Sequence, residues 1–205
     1  VWRAQCESAT GTALGPGKCG FQCLVGEGRF GSDKVVLLKP ETFMTLQGQS
    51  GGEAMRFYNL TPDDITVFHD ELDLAPGKCR AKLGGGHAGH NGLRTSNGNI
   101  GPEYHRVRLG IGHPGHKDAV ARYVLNDFAK AEAGWLDDLL RGIADGAPAL
   151  AQGDTGRFMN AVALRVQPPR EKPAKAKPSD TPQASDQAPE PDARSPMQKL
   201  MDKFK

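Results

Sequence analysis

Three short clusters carry most of the residues in this sequence that can do chemistry. The first is Lys39-Pro40-Glu41-Thr42-Phe43-Met44-Thr45-Leu46-Gln47-Gly48, the second His69-Asp70-Glu71-Leu72-Asp73, and the third Gly84-Gly85-Gly86-His87-Ala88-Gly89-His90-Asn91-Gly92. An imidazole and carboxylates in one segment suit general acid–base work, where a base takes a proton from water and a carboxylate orients it. A run this rich in glycine lets its backbone approach a ligand closely. Other chemistries fit less well. The glycine loop lacks the Gly-Lys-Ser/Thr ending of a nucleotide P-loop and the order of a dinucleotide fingerprint, and no Gly-x-Ser-x-Gly elbow is present. His69, His87, His90 and His113 are a weak metal set, because a glycine loop presents no preset face. Cys6, Cys19, Cys23 and Cys79 are a weak zinc set and resemble no disulfide framework, so they read as free thiols.

The elements that must position these clusters follow from apolar runs and punctuation. Residues 34–39, Lys-Val-Val-Leu-Leu-Lys closed by Pro40, read as a buried strand; residues 65–70 and 106–112 read as two more. Between the first two, residues 49–58 read as a helix weakened by Gly51 and Gly52, followed by a turn at Thr61-Pro62-Asp63-Asp64. Strand, helix, strand in one sheet predicts parallel strands joined by a right-handed crossover. Helical spacing continues over residues 119–128, 131–151 and 157–166, enough to cover the faces of a sheet. The fold class expected is α/β: a single domain with a twisted mixed sheet flanked by helices. Each polar cluster then falls at a strand's carboxyl end, where an open α/β sheet binds ligands.

The chain has 205 residues, enough for one sizeable core, and 38% of them are hydrophobic. No run approaches the roughly 18 apolar residues of a membrane span, and the first residues lack a secretory pattern, so the expected location is the cytoplasm. Residues 168–205 hold 8 of the 15 prolines, 8 Lys/Arg and 6 Asp/Glu without a glycine, a composition that predicts a disordered tail. The remainder balances at 18 basic and 18 acidic residues, which favours a local basic patch over a general nucleic-acid coat.

Taken in order, residues 39–44, Phe68-His-Asp-Glu-Leu-Asp-Leu, Leu83-Gly-Gly-Gly-His-Ala-Gly-His-Asn-Gly-Leu and Arg106-Val-Arg-Leu-Gly-Ile-Gly-His-Pro-Gly resemble the bacterial peptidyl-tRNA hydrolase family, from about Phe21 to Val166. The resemblance implies hydrolysis of the ester between a peptide and the 3′ end of tRNA, recycling tRNA from stalled translation, by a monomer with no metal or cofactor. It implies that Asp70 orients and polarises a catalytic imidazole and that Asn91 holds substrate and the attacking water. Phe43 matches the aromatic residue lining the peptide and 3′-adenosine site, and Lys82 and Arg108 match basic positions that clamp phosphates. Thr45 stands where the family has Asn, offering one hydroxyl in place of an amide's donor and acceptor. The family's opening strand, Gly-Asn-Pro-Gly loop and Arg-His-Asn segment with the catalytic histidine are not found, so residues 1–20 read as an atypical segment before a domain at 21–167. An incomplete or frame-shifted chain with little turnover is therefore expected, and a catalytically silent tRNA-binding protein is the alternative. His90 and His113 are the nearby imidazoles able to replace the base, provided that one of them pairs with Asp70.

Overall fold

The structure, a computed structural model, describes residues 15–16, 22–30 and 32–166. The segment 1–14 and the tail 168–205 lie outside them. Six strands and five α-helices are described among these residues. Strands β1 (Gly15–Pro16), β2 (Cys23–Phe30) and β3 (Asp33–Pro40) come first, then helix α1 (Gln47–Phe57) and strands β4 (Thr66–Glu71) and β5 (Cys79–Leu83). Helix α2 (Asn91–Ile100), strand β6 (His105–Gly110) and helices α3 (Val120–Leu125), α4 (Ala133–Ala151) and α5 (Thr155–Val166) complete the order.

The strands form two sheets of three, in the orders β1-β2-β3 and β4-β6-β5. The first is antiparallel throughout, with β2 and β3 a hairpin from Cys23↔Pro40 to Phe30↔Asp33. The second is mixed: β4 runs parallel to β6, with Phe68 opposite Val107, and β5 runs antiparallel to β6. The parallel pair is thus β4 with β6, and the expected parallel pairing of residues 34–39 with 65–70 in one sheet is corrected. The crossover joining the parallel strands runs through β5 and α2.

Strand periodicity explains how helices cover both faces of the mixed sheet. On one face Val67 packs with Leu93 and Ile100 of α2, Tyr104 just before β6, and Met55 of α1. On the other, Val107 joins Leu139, Ile143, Phe158 and Val162 of α4 and α5, and Phe68 meets Phe158 edge-to-face with ring centroids 6.5 Å apart. Within this second cluster α4 and α5 approach closely at Gly142 and Gly146, where a Cβ would stand 2.8 Å from Val162 and Phe158 respectively. A methyl group at either glycine would push the two helices apart.

Candidate active site

The chain direction of β4 delivers Asp70 to its carboxyl end, and the glycine loop returns His90 to meet it. His90 is the N-cap residue of α2: its Nδ1 accepts the backbone N–H of Leu93 at 3.2 Å. The opposite ring nitrogen, Nε2, lies 3.0 Å from Asp70 Oδ1. In the neutral ring the nitrogen that accepts carries no proton, so the proton sits on Nε2 and is donated to the carboxylate. Burial raises the Asp70 carboxyl, but the hydrogen bond from His90 and the nearby imidazoles outweigh it and hold Asp70 below its ordinary value. The imidazole at Asp70 is therefore oriented, and both of its nitrogens are engaged.

A second imidazole backs the first. His69 is buried, its ring edge-to-face with His90 at 5.4 Å between centroids. Its Nδ1 donates to the Asp70 carbonyl at 2.8 Å, leaving Nε2 buried without a hydrogen-bond partner among the described residues. Burial is the main reason that His69 holds its proton less tightly than usual. His113 is oriented differently: its Nδ1 accepts the N–H of Gly115 in the loop after β6, and the structure gives it no contact with Asp70.

The aromatic cluster is brought alongside by a helix-to-helix contact. Phe43 is 84% exposed just before a 3₁₀ turn at Met44–Leu46 that leads into α1, and Thr45 is exposed on that turn. The turn is fixed because the first turn of α1 touches the middle of α2 backbone to backbone. The N–H of Gly48 donates to Thr95 Oγ1 at 3.2 Å, and a Cβ on Gly48 would lie 2.0 Å from the Thr95 carbonyl oxygen. Asn91, in the first turn of α2, is exposed and directly follows the half-buried His90.

The glycine loop itself is held by a residue that sequence reading passed over. Arg106 of β6 is 4% exposed, and its guanidinium donates to the carbonyls of Gly85 and Gly86 and to Asn97 Oδ1 at 3.1 Å. Its Cζ stands 4.5 Å over the Tyr104 ring, and Tyr104 also donates to Asn97 at 2.7 Å. Gly84 and Gly85 take φ values of +61° and +114°, which side chains rarely adopt. The fork geometry of arginine explains the choice of residue, since it serves several carbonyls at once. Alternation in β6 gave no signal for this: Arg106 and Val107 are both buried, and Arg108, on the same face as Arg106, is half-buried.

The two basic positions differ. Lys82 is exposed at the end of β5, beside the glycine loop. Arg108 is paired, its Nε donating to Glu71 Oε2 at 2.9 Å. Burial raises the Glu71 carboxyl, but the Arg108 bond and the N–H of Asp73 more than offset it and leave Glu71 below its ordinary value. Among the described residues no group of three or more His, Cys, Asp and Glu can hold a metal ion. Cys23 and Cys79 are free thiols, and burial pushes Cys79 up to about 12, which makes it inert; Cys6 and Cys19 fall outside the described residues.

The sequence profile described as peptidyl-tRNA hydrolase matches residues 6–172. The chain belongs to the peptidyl-tRNA hydrolase family. The match begins earlier and ends later than the expected 21–166. Peptidyl-tRNA hydrolase of Dinoroseobacter shibae is 65% identical over 199 residues, covering 93% of this chain and 85% of that one. The Cereibacter sphaeroides enzyme is 67% identical over 193 residues, covering 94% and 85%. The crystal structure of peptidyl-tRNA hydrolase from Acinetobacter baumannii superposes with a TM-score of 0.72 at 38% identity, covering 78% of this chain and 82% of that one. The peptidyl-tRNA hydrolase fold accounts for the α/β architecture found here.

Proposed function

We propose that this chain binds peptidyl-tRNA in the crevice bounded by Phe43, Asp70, His90 and Asn91 and directs hydrolysis to the ester at the tRNA 3′ end. The observation that carries the reading is the 3.0 Å contact between His90 Nε2 and Asp70 Oδ1, which joins the second and third polar clusters into one site. Phe43 offers an exposed ring for a base or an apolar peptide side chain, and Asn91 an amide to hold the carbonyl and the attacking water. Lys82 meets the phosphates, and Thr45 positions substrate with its single hydroxyl. Attack by water needs a proton acceptor, and all six histidines of the chain fall between His69 and His116. His90 becomes that acceptor only by giving up its hydrogen bond to Leu93, so turnover is slow relative to binding. The reading uses no metal or cofactor, and it assigns the work to a monomer in the cytoplasm, where translation supplies the substrate. No described helix is long and apolar enough to cross a membrane.

A paired assay tests this. Hydrolysis of N-acetylaminoacyl-tRNA is measured beside filter binding of the same tRNA, with the Dinoroseobacter shibae enzyme as reference. The expected result is retained binding with turnover reduced by about 10² to 10⁴, the range attributed to a positioned base. Thr45→Asn improves KM and leaves kcat low, because position 45 holds substrate and accepts no proton. Absence of tRNA binding would sink the assignment; turnover at the reference rate that is lost in His90→Gln would show that His90 is the working base. Binding with no detectable turnover, unchanged in Asp70→Asn, favours the silent tRNA-binding protein.

A further inference from the structure

Arg94 of α2 is exposed and makes no ion pair among the described residues. The positions three and four away along the helix, where a partner would stand, are His90, Asn91, Asn97 and Gly98, none of them a carboxylate. The two arginines of β6 are engaged by contrast: Arg106 grips the glycine loop and Arg108 is bound to Glu71. Arg94 thus keeps its charge for something outside the fold.

Helical spacing fixes where that charge lies. At about 100° per residue, Thr95 stands roughly 40° to one side of Asn91 and Arg94 roughly 60° to the other. Thr95 faces α1, where its Oγ1 accepts the N–H of Gly48, so that flank leads to the turn carrying Phe43. The opposite flank leads to the glycine loop. A further step of roughly 60° beyond Arg94 is Asn97, whose Nδ2 donates to the Gly85 carbonyl at 3.4 Å. Lys82 stands over the same glycine, its Nζ 2.9 Å from where a Cβ on Gly85 would be. Asn91 therefore sits between an aromatic flank and a basic one, and Arg94 fills the interval between Asn91 and Lys82. Residues three apart on a helix are about 5–6 Å apart at Cβ, a step that suits successive groups of one nucleotide strand.

On the footing that peptidyl-tRNA binds in this crevice, we propose that Arg94 holds the phosphate joining the terminal adenosine to the nucleotide before it, so that the tRNA 3′ strand runs from Phe43 across Asn91 and Arg94 to Lys82. The base lies against the Phe43 ring, the ester carbonyl reaches Asn91, the guanidinium forks onto two phosphate oxygens, and Lys82 meets the next phosphate back. Affinity of the full chain is measured by filter binding over a range of salt, with intact deacylated tRNA and with the same tRNA shortened by its single-stranded 3′ end. Arg94→Gln is expected to weaken binding of intact tRNA by about three- to tenfold and to lower the slope of log affinity against log salt by about 0.7, the share of one single-strand phosphate. It leaves affinity for the shortened tRNA unchanged, and Arg94→Lys keeps the slope. A methylphosphonate at that one linkage reproduces the loss with the unaltered chain and adds nothing to it in Arg94→Gln. An unchanged slope in Arg94→Gln, an equal loss with both tRNAs, or additive losses from the methylphosphonate and the substitution overturns the assignment. Failure of the unaltered chain to bind either tRNA removes the proposed function and this assignment with it, whereas binding that ignores Arg94 removes the assignment alone.

Discussion

The backbone N–H of Leu93 donates to Nδ1 of His90, 3.2 Å away, and so decides which nitrogen of that ring carries the proton. Under the proposed function, helix capping and proton acceptance compete for the same lone pair. An N-cap interaction is worth about 1 kcal/mol, so the ring is spent on holding α2 unless something displaces it.

His90→Asn and His90→Ala separate the two duties. Asparagine is a strong N-cap but does not reach Asp70 as an imidazole does, so His90→Asn keeps helix stability while removing the Asp70 contact. His90→Ala loses both and costs about 1 to 2 kcal/mol in chemical denaturation. Equal stability of the two variants would show that the cap contributes nothing.

Acid should destabilise the fold in two windows. The His69 imidazole sits below its ordinary value of 6.5 because burial opposes its charge, so the unfolded chain binds that proton more readily. Its contribution is complete above about pH 6.5 and is lost as pH falls from there towards the folded value. Asp70 is also held low, so its stabilisation persists to about pH 4 and is lost as pH falls through its folded value. Thermal melts against pH should show the upper step vanish in His69→Gln and the lower one shrink in Asp70→Asn. A single step unaffected by either substitution would count against both assignments.

Salt dependence distinguishes the two basic positions. Lys82→Ala should reduce the slope of log affinity for tRNA against log salt by about 0.7 to 0.9, the release of one counterion. Arg108 is occupied by Glu71, so Arg108→Ala should leave the slope nearly unchanged and instead lower stability by about 1 to 3 kcal/mol through the unpaired carboxylate. A full unit of slope lost in Arg108→Ala would place its guanidinium on phosphate.

Arg106 makes the strongest structural claim. Arg106→Met keeps the apolar stem but strands the Gly85 and Gly86 carbonyls, and about 2 to 4 kcal/mol of stability should go with them. Hydrogen exchange should quicken across residues 84–90, and tRNA binding should weaken because the loop that carries His90 loses its anchor. An unchanged exchange pattern would mean that the glycine loop holds itself.

The strands at 34–39 and 65–70 were legible because β-branched apolar runs closed by proline or turn residues have few other solutions. The long helix read as 131–151 was legible from its spacing; it starts at Ala133 after a 3₁₀ turn at Lys130–Glu132. Four elements were not legible, the two-residue β1 (Gly15–Pro16) among them. β2 hides Gly26 and Gly28 in its interior, β5 is short and charged, and α2 is written Asn-Gly-Leu-Arg-Thr-Ser-Asn-Gly-Asn-Ile, which local propensity assigns to a loop. Tertiary contact forms α2: the His90 cap, the Gly48–Thr95 approach and the packing of Leu93 and Ile100 override its residues' preferences. The segment read as 119–128 is shorter, helical only from Val120 to Leu125. Asp70 could be singled out as a site residue from its setting and its family motif. That His90, and not His113, is the imidazole meeting Asp70 could not, because twenty residues and the unrecognised strand β5 lie between them and the helix that His90 caps was itself not legible.

The close approach of α4 and α5 at Gly142 and Gly146 bears on the order in which the molecule assembles. These helices are neighbours in sequence, joined by a short turn around Gly153, so their interface forms at little loop-closure cost. The crevice instead gathers residues 43, 70, 90 and 106, and no part of it exists until distant segments have met. In a refolding chain the α4–α5 hairpin can therefore condense as a unit while the crevice is still open. Pulse-labelled refolding should find its amides protected first, and the amides around His90 among the last.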